Sequence, residues 1–391
     1  MAPASGPTAE VAAAPAPAGQ PLAAPSLRSL LLGAALALPM IGATHAESAP
    51  ERGLVALKYL DYLDRQPGID RIRVRAPALS VLAPVGGDWA VGGALISDAI
   101  SGASPAFHSS GIKRLTDQRY ALEANATRYF ANASVSAGIS YSTEADYLSR
   151  GVWLQASRSS DDRNRSWTAG MGLARDVINP TNRAVEHETK RVADMLLGLT
   201  QVLGVHDIVQ FNLRYASGRG YFSDPYKVFD NRPRRRNQAT LLARWNHHLE
   251  ASGGSLRLSY RYYADSFRIR SHTLGAEFVQ PLPRGWSVTP LLRLYTQSAA
   301  RFYVDADAGR APFPPNPPEG AVYFSEDHRL SAFGAHTLGL KLAKQLDADW
   351  LVDLKFERYG QRAAWRLFGG GSPGLARFNA RSWQLGVARQ F

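Results

Sequence analysis

The sequence predicts an all-β chain closed into an antiparallel transmembrane β-barrel of about 16 strands, within a range of about 14–18. Three observations carry this. From residue 54 onward apolar and polar side chains alternate with period two, which gives a strand one apolar and one polar face. The connections between alternating segments are by turns short and long, as short periplasmic turns and long extracellular loops are. The polar faces carry Arg, Glu, Gln and small residues, which suits a lumen lining better than the wetted side of a soluble sandwich.

Sixteen segments alternate in this way, near 54–64, 70–82, 88–98, 118–130, 133–142, 149–157, 166–175, 190–202, 207–217, 237–249, 255–265, 269–280, 286–297, 329–343, 349–360 and 378–391. In one of them Trp350, Val352, Leu354 and Phe356 alternate with Asp353, Lys355 and Glu357. In another, Val209, Phe211, Leu213 and Tyr215 alternate with Gln210, Asn212 and Arg214. Short connections fall at 83–87, 131–132, 158–165, 203–206, 250–254, 281–285 and 344–348. Long ones fall at 99–117, 176–189, 218–236, 298–328 and 361–377; only 65–69, 143–148 and 266–268 break the contrast. Aromatic residues gather at strand ends (Tyr120, Tyr129, Phe130, Tyr141, Trp153, Trp167, Trp245, Trp286 and Trp350), where a barrel needs an interfacial girdle.

Ahead of the barrel lies an address. Residues 2–27 are rich in Ala, Pro and Gly; then come Arg28, an apolar run from Leu30 to Gly42, and the small residues before Ala46. This reads as a leader and signal peptide over 1–46, removed after Ala46, with 47–53 a short periplasmic segment and 54–391 the barrel. The address implies export to the outer membrane of a Gram-negative bacterium. The last strand, with Trp383, Leu385, Val387 and a terminal Phe391, has the pattern by which barrel-assembly machinery recognises its clients.

Composition narrows the chemistry. The 391 residues include no Cys, which excludes disulfides, a thiol nucleophile, Cys-ligated metals and covalent c-type haem. Mean hydropathy is −0.22 and no apolar run beyond residue 46 is long enough for a membrane helix. The net charge of +12 suits an anionic membrane surface or anionic solutes as partners; no fold signature for nucleic acid accompanies it.

Several segments carry a family resemblance. They are ISDAISGASP from Ile96 to Pro105, YFSDPYKV from Tyr221 to Val228, Asn231-Arg232-Pro233, SYRYY from Ser259 to Tyr263, Ser271 to Leu274, and LYTQSAARFY from Leu294 to Tyr303. Together they resemble the outer-membrane barrel family catalogued as domain of unknown function 3570, over nearly all of the chain from residue 54. The family has no established activity. Its members tend to be encoded beside a small flavinylated lipoprotein, a flavin transferase and a thioredoxin-like protein. The resemblance therefore implies a role in extracytosolic electron transfer, with the barrel as scaffold for the flavin-bearing partner.

The residues themselves point first to a pore or conduit for small solutes, its lumen open or filled by loops or a partner. With the apolar faces toward lipid, Glu123, Gln210, Arg214, Arg244, Arg257, Arg261, Glu277, Arg293, Asp353, Lys355 and Glu357 line the lumen. Such charges set ion selectivity, here with a lean toward anions, or pair across strands and brace the wall. In the loops, Arg232, Arg234, Arg235 and Arg236 offer forks that match lipopolysaccharide phosphates, or form a solvated surface. The turns Ser101, Gly102, Ser104, Pro105 and Asp224, Pro225, Tyr226 fold inward as constrictions or remain plain loops. Histidines 247 and 248 are adjacent, so they face opposite ways and share no metal; no dense carboxylate cluster is visible, and no cofactor is expected. An outer-membrane hydrolase would need Ser, His and an acid gathered from separate strands; Ser271 and His272 point apart, and no nucleophile motif occurs.

Overall fold

The computed structural model describes residues 48–103, 114–306 and 317–391. The signal peptide and its Ala46 cleavage site lie outside the described residues, as do Ser104 and Pro105.

Sixteen strands form one closed barrel: β1 (Leu54–Gln66), β2 (Ile69–Val85), β3 (Trp89–Ala103), β4 (Arg114–Phe130), β5 (Ala133–Thr143), β6 (Tyr147–Ser159), β7 (Arg165–Ile178), β8 (Glu188–Val202), β9 (Asp207–Gly220), β11 (Arg235–Leu249), β12 (Gly254–Asp265), β13 (Arg270–Leu282), β14 (Trp286–Gln297), β16 (Phe333–Gln345), β17 (Trp350–Arg362) and β18 (Phe378–Gln390). Two short strands, β10 (Asp230–Asn231) and β15 (Phe324–Ser325), pair with each other outside the wall. All sixteen alternating segments are strands. Two regions need correction: the segments 88–98 and 118–130 extend as strand to Ala103 and from Arg114, so Ser101 and Gly102 pair in β3 rather than lie in a loop, and the first residues of the segment 329–343 form a 3-10 turn, His328–Leu330, before β16 begins. Asp327 accepts from the Arg329 backbone N–H, and that cap turns the chain where side-chain alternation alone reads as strand.

Neighbouring strands are antiparallel throughout, and β1 closes the ring on β18 with Leu54 opposite Gln390. Closure leaves no open strand edge, which is what allows a sheet to sit in hydrocarbon, where unpaired backbone groups cost several kcal/mol each. At the closure point the Gly53 N–H donates to the Phe391 carbonyl at 2.8 Å and the Phe391 N–H returns the bond at 3.0 Å. A side chain at Gly53 would fall within 2.4–2.9 Å of the Phe391 ring, so the position needs glycine.

The outward face is apolar and unburied: Met195, Leu197, Leu173 and Met171 are 57–66% exposed. In water a belt of this kind would be an aggregation surface, whereas in lipid it is solvated. Trp383 and Leu385 of the terminal strand share this face, as does Phe391, and Val387 alternates with the buried Ala388 between them. Phe130, Trp167, Trp245, Trp286 and Trp350 lie on it as girdle residues. Two aromatics of the expected girdle are corrections. Trp153 is in register with Gly138, and Tyr129 with Ser134; both belong to the inward face, because alternation counted from Ile139 and Phe130 assigns them there.

The long connections share one rim with the short turns 67–68, 144–146 and 266–269, and the remaining short turns form the other. Inside, the barrel is packed toward the long-loop rim, where Leu60, Tyr62, Ile72, Val74, Phe378 and Ala380 form a buried cluster between β1, β2 and β18. A second cluster, Phe267, Ile269, Ala300, Phe302 and Leu330, lies under the loops.

Candidate functional site

The eleven lumen candidates share the inward face by register, and they divide unevenly between the two walls. Across β9, β11, β12, β13 and β14, Gln210, Arg244, Ser259, Gly275 and Arg293 stand opposite one another in turn. On adjoining rows Arg257 faces Glu277, and Arg261 faces Thr273. On β17, Asp353, Lys355 and Glu357 follow, with Lys355 and Glu357 paired at 3.0 Å. Lys355 stands directly opposite Lys341 on β16, and Lys58 is buried on β1 opposite Gly386. This half of the lining therefore sets Arg236, Arg244, Arg257, Arg261, Arg293, Lys341, Lys355 and Lys58 against Asp64, Asp265, Glu277, Asp353 and Glu357, with Arg236 paired to Asp265.

The facing half is built differently. Asp98 pairs with Arg119, Asp176 with Lys190, and Asp194 with Arg214 at 2.9–3.1 Å. Between these pairs run hydroxyls, with Thr127 bonded to Ser136, Ser157 to Thr168 and Ser159 to Ser166 at 2.7–3.0 Å. Glu123 lies here, in register with Ala94 and Ser140. On this wall Asp98, Asp176 and Asp194 each have a cation partner, whereas on the other cations outnumber acids. Lys58 and Lys341 were legible in principle as polar positions of alternating strands, but only register sets Lys341 against Lys355.

Above the lumen the loops form a cap. Asp327 is fully buried and holds two arginines: Arg232 donates to it at 2.6 Å, and Arg329 donates through Nε at 2.7–2.8 Å. Arg232 also binds Asp230 at 2.7 Å, and Arg329 reaches Asp224 at 2.6 Å. Burial alone pushes the Asp327 carboxyl up, but Arg329, Arg232 and Lys227 outweigh it and hold it well below the usual carboxylate range. Burial likewise works against charge on Arg232, yet Asp230 and Asp327 raise it above its ordinary value. Burial holds His328 well below the usual imidazole range, against the pull of Asp327.

The cap crosses the lumen. At one end Lys190 of β8 lies 5.9 Å from the centre of the Phe222 ring. At the other, His328 stacks on Phe378 of β18 at 6.5 Å, with Arg71 of β2 over the same ring at 5.5 Å. In the closed order β8 and β18 stand on opposite sides of the barrel. The turn Asp224, Pro225, Tyr226 is part of this bridge: the Tyr226 hydroxyl donates to Asp146 at 2.5 Å, and the Pro225 carbonyl accepts from Asn182 at 2.8 Å. Ser101 and Gly102 close β3.

Three of the four loop arginines need correction. Arg235 and Arg236 begin β11 rather than lying in a loop. Arg236 is buried, donating to Asp265 at 3.0 Å and to Tyr263 at 3.1 Å. Arg232 is committed to Asp230 and Asp327. Neither buried guanidinium is open to an outside phosphate. Arg234 is exposed and pairs with Glu188 at 2.9 Å.

Other clusters emerge that spacing did not reveal. Asp117, Glu144 and Asp146 bring carboxylate oxygens within 4.8 Å of one another, a correction to the absence of any acidic cluster in the sequence reading. His206 stacks on His248 at 6.1 Å and pairs with Glu250 at 3.1 Å, while His247 meets Asp207 at 2.9 Å. Ser271 is buried, whereas His272 meets the exposed Tyr260 hydroxyl at 2.7 Å, so the two are not partners.

The family model described as Protein of unknown function (DUF3570) matches residues 108–186 and 181–382. Among solved structures, a bacterial polysaccharide outer membrane secretin is similar at 10% identity and TM-score 0.49, covering 86% of this chain and 98% of that one. The CymD monoaromatic hydrocarbon channel aligns at 11% identity and TM-score 0.44, covering 87% and 89%. OccK9 (OpdG) of Pseudomonas aeruginosa aligns at 11% identity and TM-score 0.43, covering 87% and 98%. No curated protein matches the chain.

Proposed function

Since the chain belongs to the family described as Protein of unknown function (DUF3570), a family defined by no reaction, we propose from the geometry that it is an outer-membrane conduit for small anionic solutes, closed at its long-loop mouth by a folded cap. The observation that carries this is the one-sided lumen: eight cationic side chains against five acidic ones on the β11–β1 wall, facing a wall where Asp98, Asp176 and Asp194 are each paired with a cation. A fixed cationic wall in a confined lumen favours anions over cations. Barrels of this strand number leave room for an aqueous channel. The cap supports a closed resting state, because Asp327 and its arginines join loops that spring from different parts of the ring.

The test is single-channel recording in a planar bilayer under a salt gradient, comparing the native chain with a variant whose cap is broken by Asp327→Ala. The reading expects rare or small openings in the native chain, larger steps in the variant, and an anion-selective reversal potential. A folded variant that stays silent, or one that selects cations, would overturn it.

A further inference from the structure

The outward face carries a row of charge that no single segment of sequence reveals. Arg150 on β6 stands opposite Arg175 on β7. Arg175 stands opposite Arg191 on β8, Arg191 opposite Arg219 on β9, and Arg219 opposite Arg235 on β11. Five arginines thus form one unbroken cross-strand row over five consecutive strands, and all five are exposed. Their strand neighbours Asp176, Val192 and Arg236 are buried, so alternation directs the row outward.

Strands lie about 4.8 Å apart, so the row runs roughly 19 Å around the wall. Like charges directly opposite one another destabilise a sheet, and at this spacing they lie inside the roughly 8 Å screening length of physiological salt. The protein supplies no remedy. Arg150 lies 6.0 Å from the Tyr141 ring, none of the five pairs with a carboxylate among the described residues, and nearby Glu188 is held by Arg234.

The row's height says what does. On β7 the outward positions from Arg175 down to Arg165 are Leu173, Met171, Ala169 and Trp167. Ten residues at about 3.3 Å each, tilted about 40°, rise roughly 25 Å, the height of the apolar band of a membrane barrel. Arg175 therefore stands at the upper edge of the band, where lipid headgroups begin, on the long-loop side, and with the same tilt the row crosses that edge obliquely, over roughly 12 Å of height. Guanidinium forks match phosphate oxygens in pairs.

We propose that this row binds the phosphate-bearing headgroups of an anionic glycolipid in the outer leaflet, whose acyl chains lie on the apolar belt below. The proposal rests on the outer-membrane placement with the long loops outside, and not on conduction; a barrel that binds the lipid yet passes no current would sink only the conduit reading.

The experiment counts lipids retained by the full chain in detergent by native mass spectrometry, and follows its melting with and without added lipid. The probes are bisphosphorylated lipid A, the same lipid stripped of phosphate, and inorganic phosphate. The variant is the triple change Arg175→Gln, Arg191→Gln and Arg219→Gln. The native chain is expected to retain at least one more bisphosphorylated lipid than the variant, with affinity for that lipid about tenfold higher, and to melt higher when it is present. Without lipid the variant should melt no lower than the native chain, since it has lost only repulsion. Equal lipid counts, equal binding of the phosphate-free lipid, displacement by inorganic phosphate, or a lipid-free variant that melts lower would each overturn the assignment.

Discussion

Arg232 and Asp327 meet at 2.6 Å, although one lies in the loop after β9 and the other in the loop after β14. Asp327 has no exposed surface and Arg232 very little. An ion pair removed from water so completely is strongly destabilising to break, because the surviving charge stays buried without its partner. The contact is therefore the clasp of the cap.

Replacing Asp327 with Ala leaves Arg232 only Asp230 and Arg329 only Asp224, and removes the buried carboxylate that joins the two arginines. The cap is expected to lose about 3–5 kcal/mol while the barrel wall stays intact. Limited proteolysis should cut within 298–332 many times faster in the variant, and the heat-modifiable gel mobility of the barrel should be unchanged.

Acid should open the cap in the same way. His328 is held neutral by burial, with Asp327 pulling the other way and Lys227, Arg71 and Arg329 adding to the depression. Its folded value is below its unfolded one, so opening takes up a proton. The stability it contributes is complete above about pH 6.5 and falls by about 1.4 kcal/mol per unit below it. Asp327, also depressed, adds a second loss below the ordinary carboxylate range. Hydrogen-exchange protection in 324–332, taken relative to the intrinsic exchange rate at each pH, should fall from pH 7 to pH 5, and His328→Gln should flatten that slope.

Selectivity should follow the basic wall. Arg244→Glu with Arg261→Glu reverses two of the eight cationic positions and leaves the facing wall untouched. In a cap-broken background the reversal potential under a tenfold salt gradient should move toward cations. The same reversal at Arg119, already paired with Asp98, should move it less; an equal shift from both sites would show that the asymmetry of the lining does not set selectivity.

The indole of Trp153 lies over Gly138, where an added Cβ would come within 2.5 Å of the ring. Gly138→Leu must lift that ring off the wall, at an overpacking cost of about 1–3 kcal/mol. Urea unfolding monitors the cost, and conductance should fall as the ring enters the lumen. Trp153→Ala in the same background should restore it.

All sixteen strands were legible because each is read locally: alternation is a property of neighbours in sequence. The lumen candidates follow from the same rule once the apolar face is assigned to lipid. What escaped depends on register or on contacts between loops. Arg150, Arg175, Arg191, Arg219 and Arg235 are unevenly spaced along the chain, and only the pairing of five strands brings them into one row. Asp117 meets Glu144 and Asp146 only because β4 and the loop after β5 share a rim. Arg232 and Arg236 looked like a solvated run with Arg234 and Arg235. Their burial is set by Asp327 and Asp265, which lie far along the sequence.

The pairing of β1 with β18 also governs how such a chain comes into being. Until the final strand arrives, every intermediate carries two raw edges, each offering unpaired amides to any other chain. The ladder that seals the ring joins the most distant strands in the sequence, so its loop-closure entropy is the largest in the fold and is repaid last. Loss of either terminal strand would not merely narrow the barrel. It would leave a curved open sheet with nowhere to hide its rim, because both edges are covered only when Gly53 and Phe391 meet.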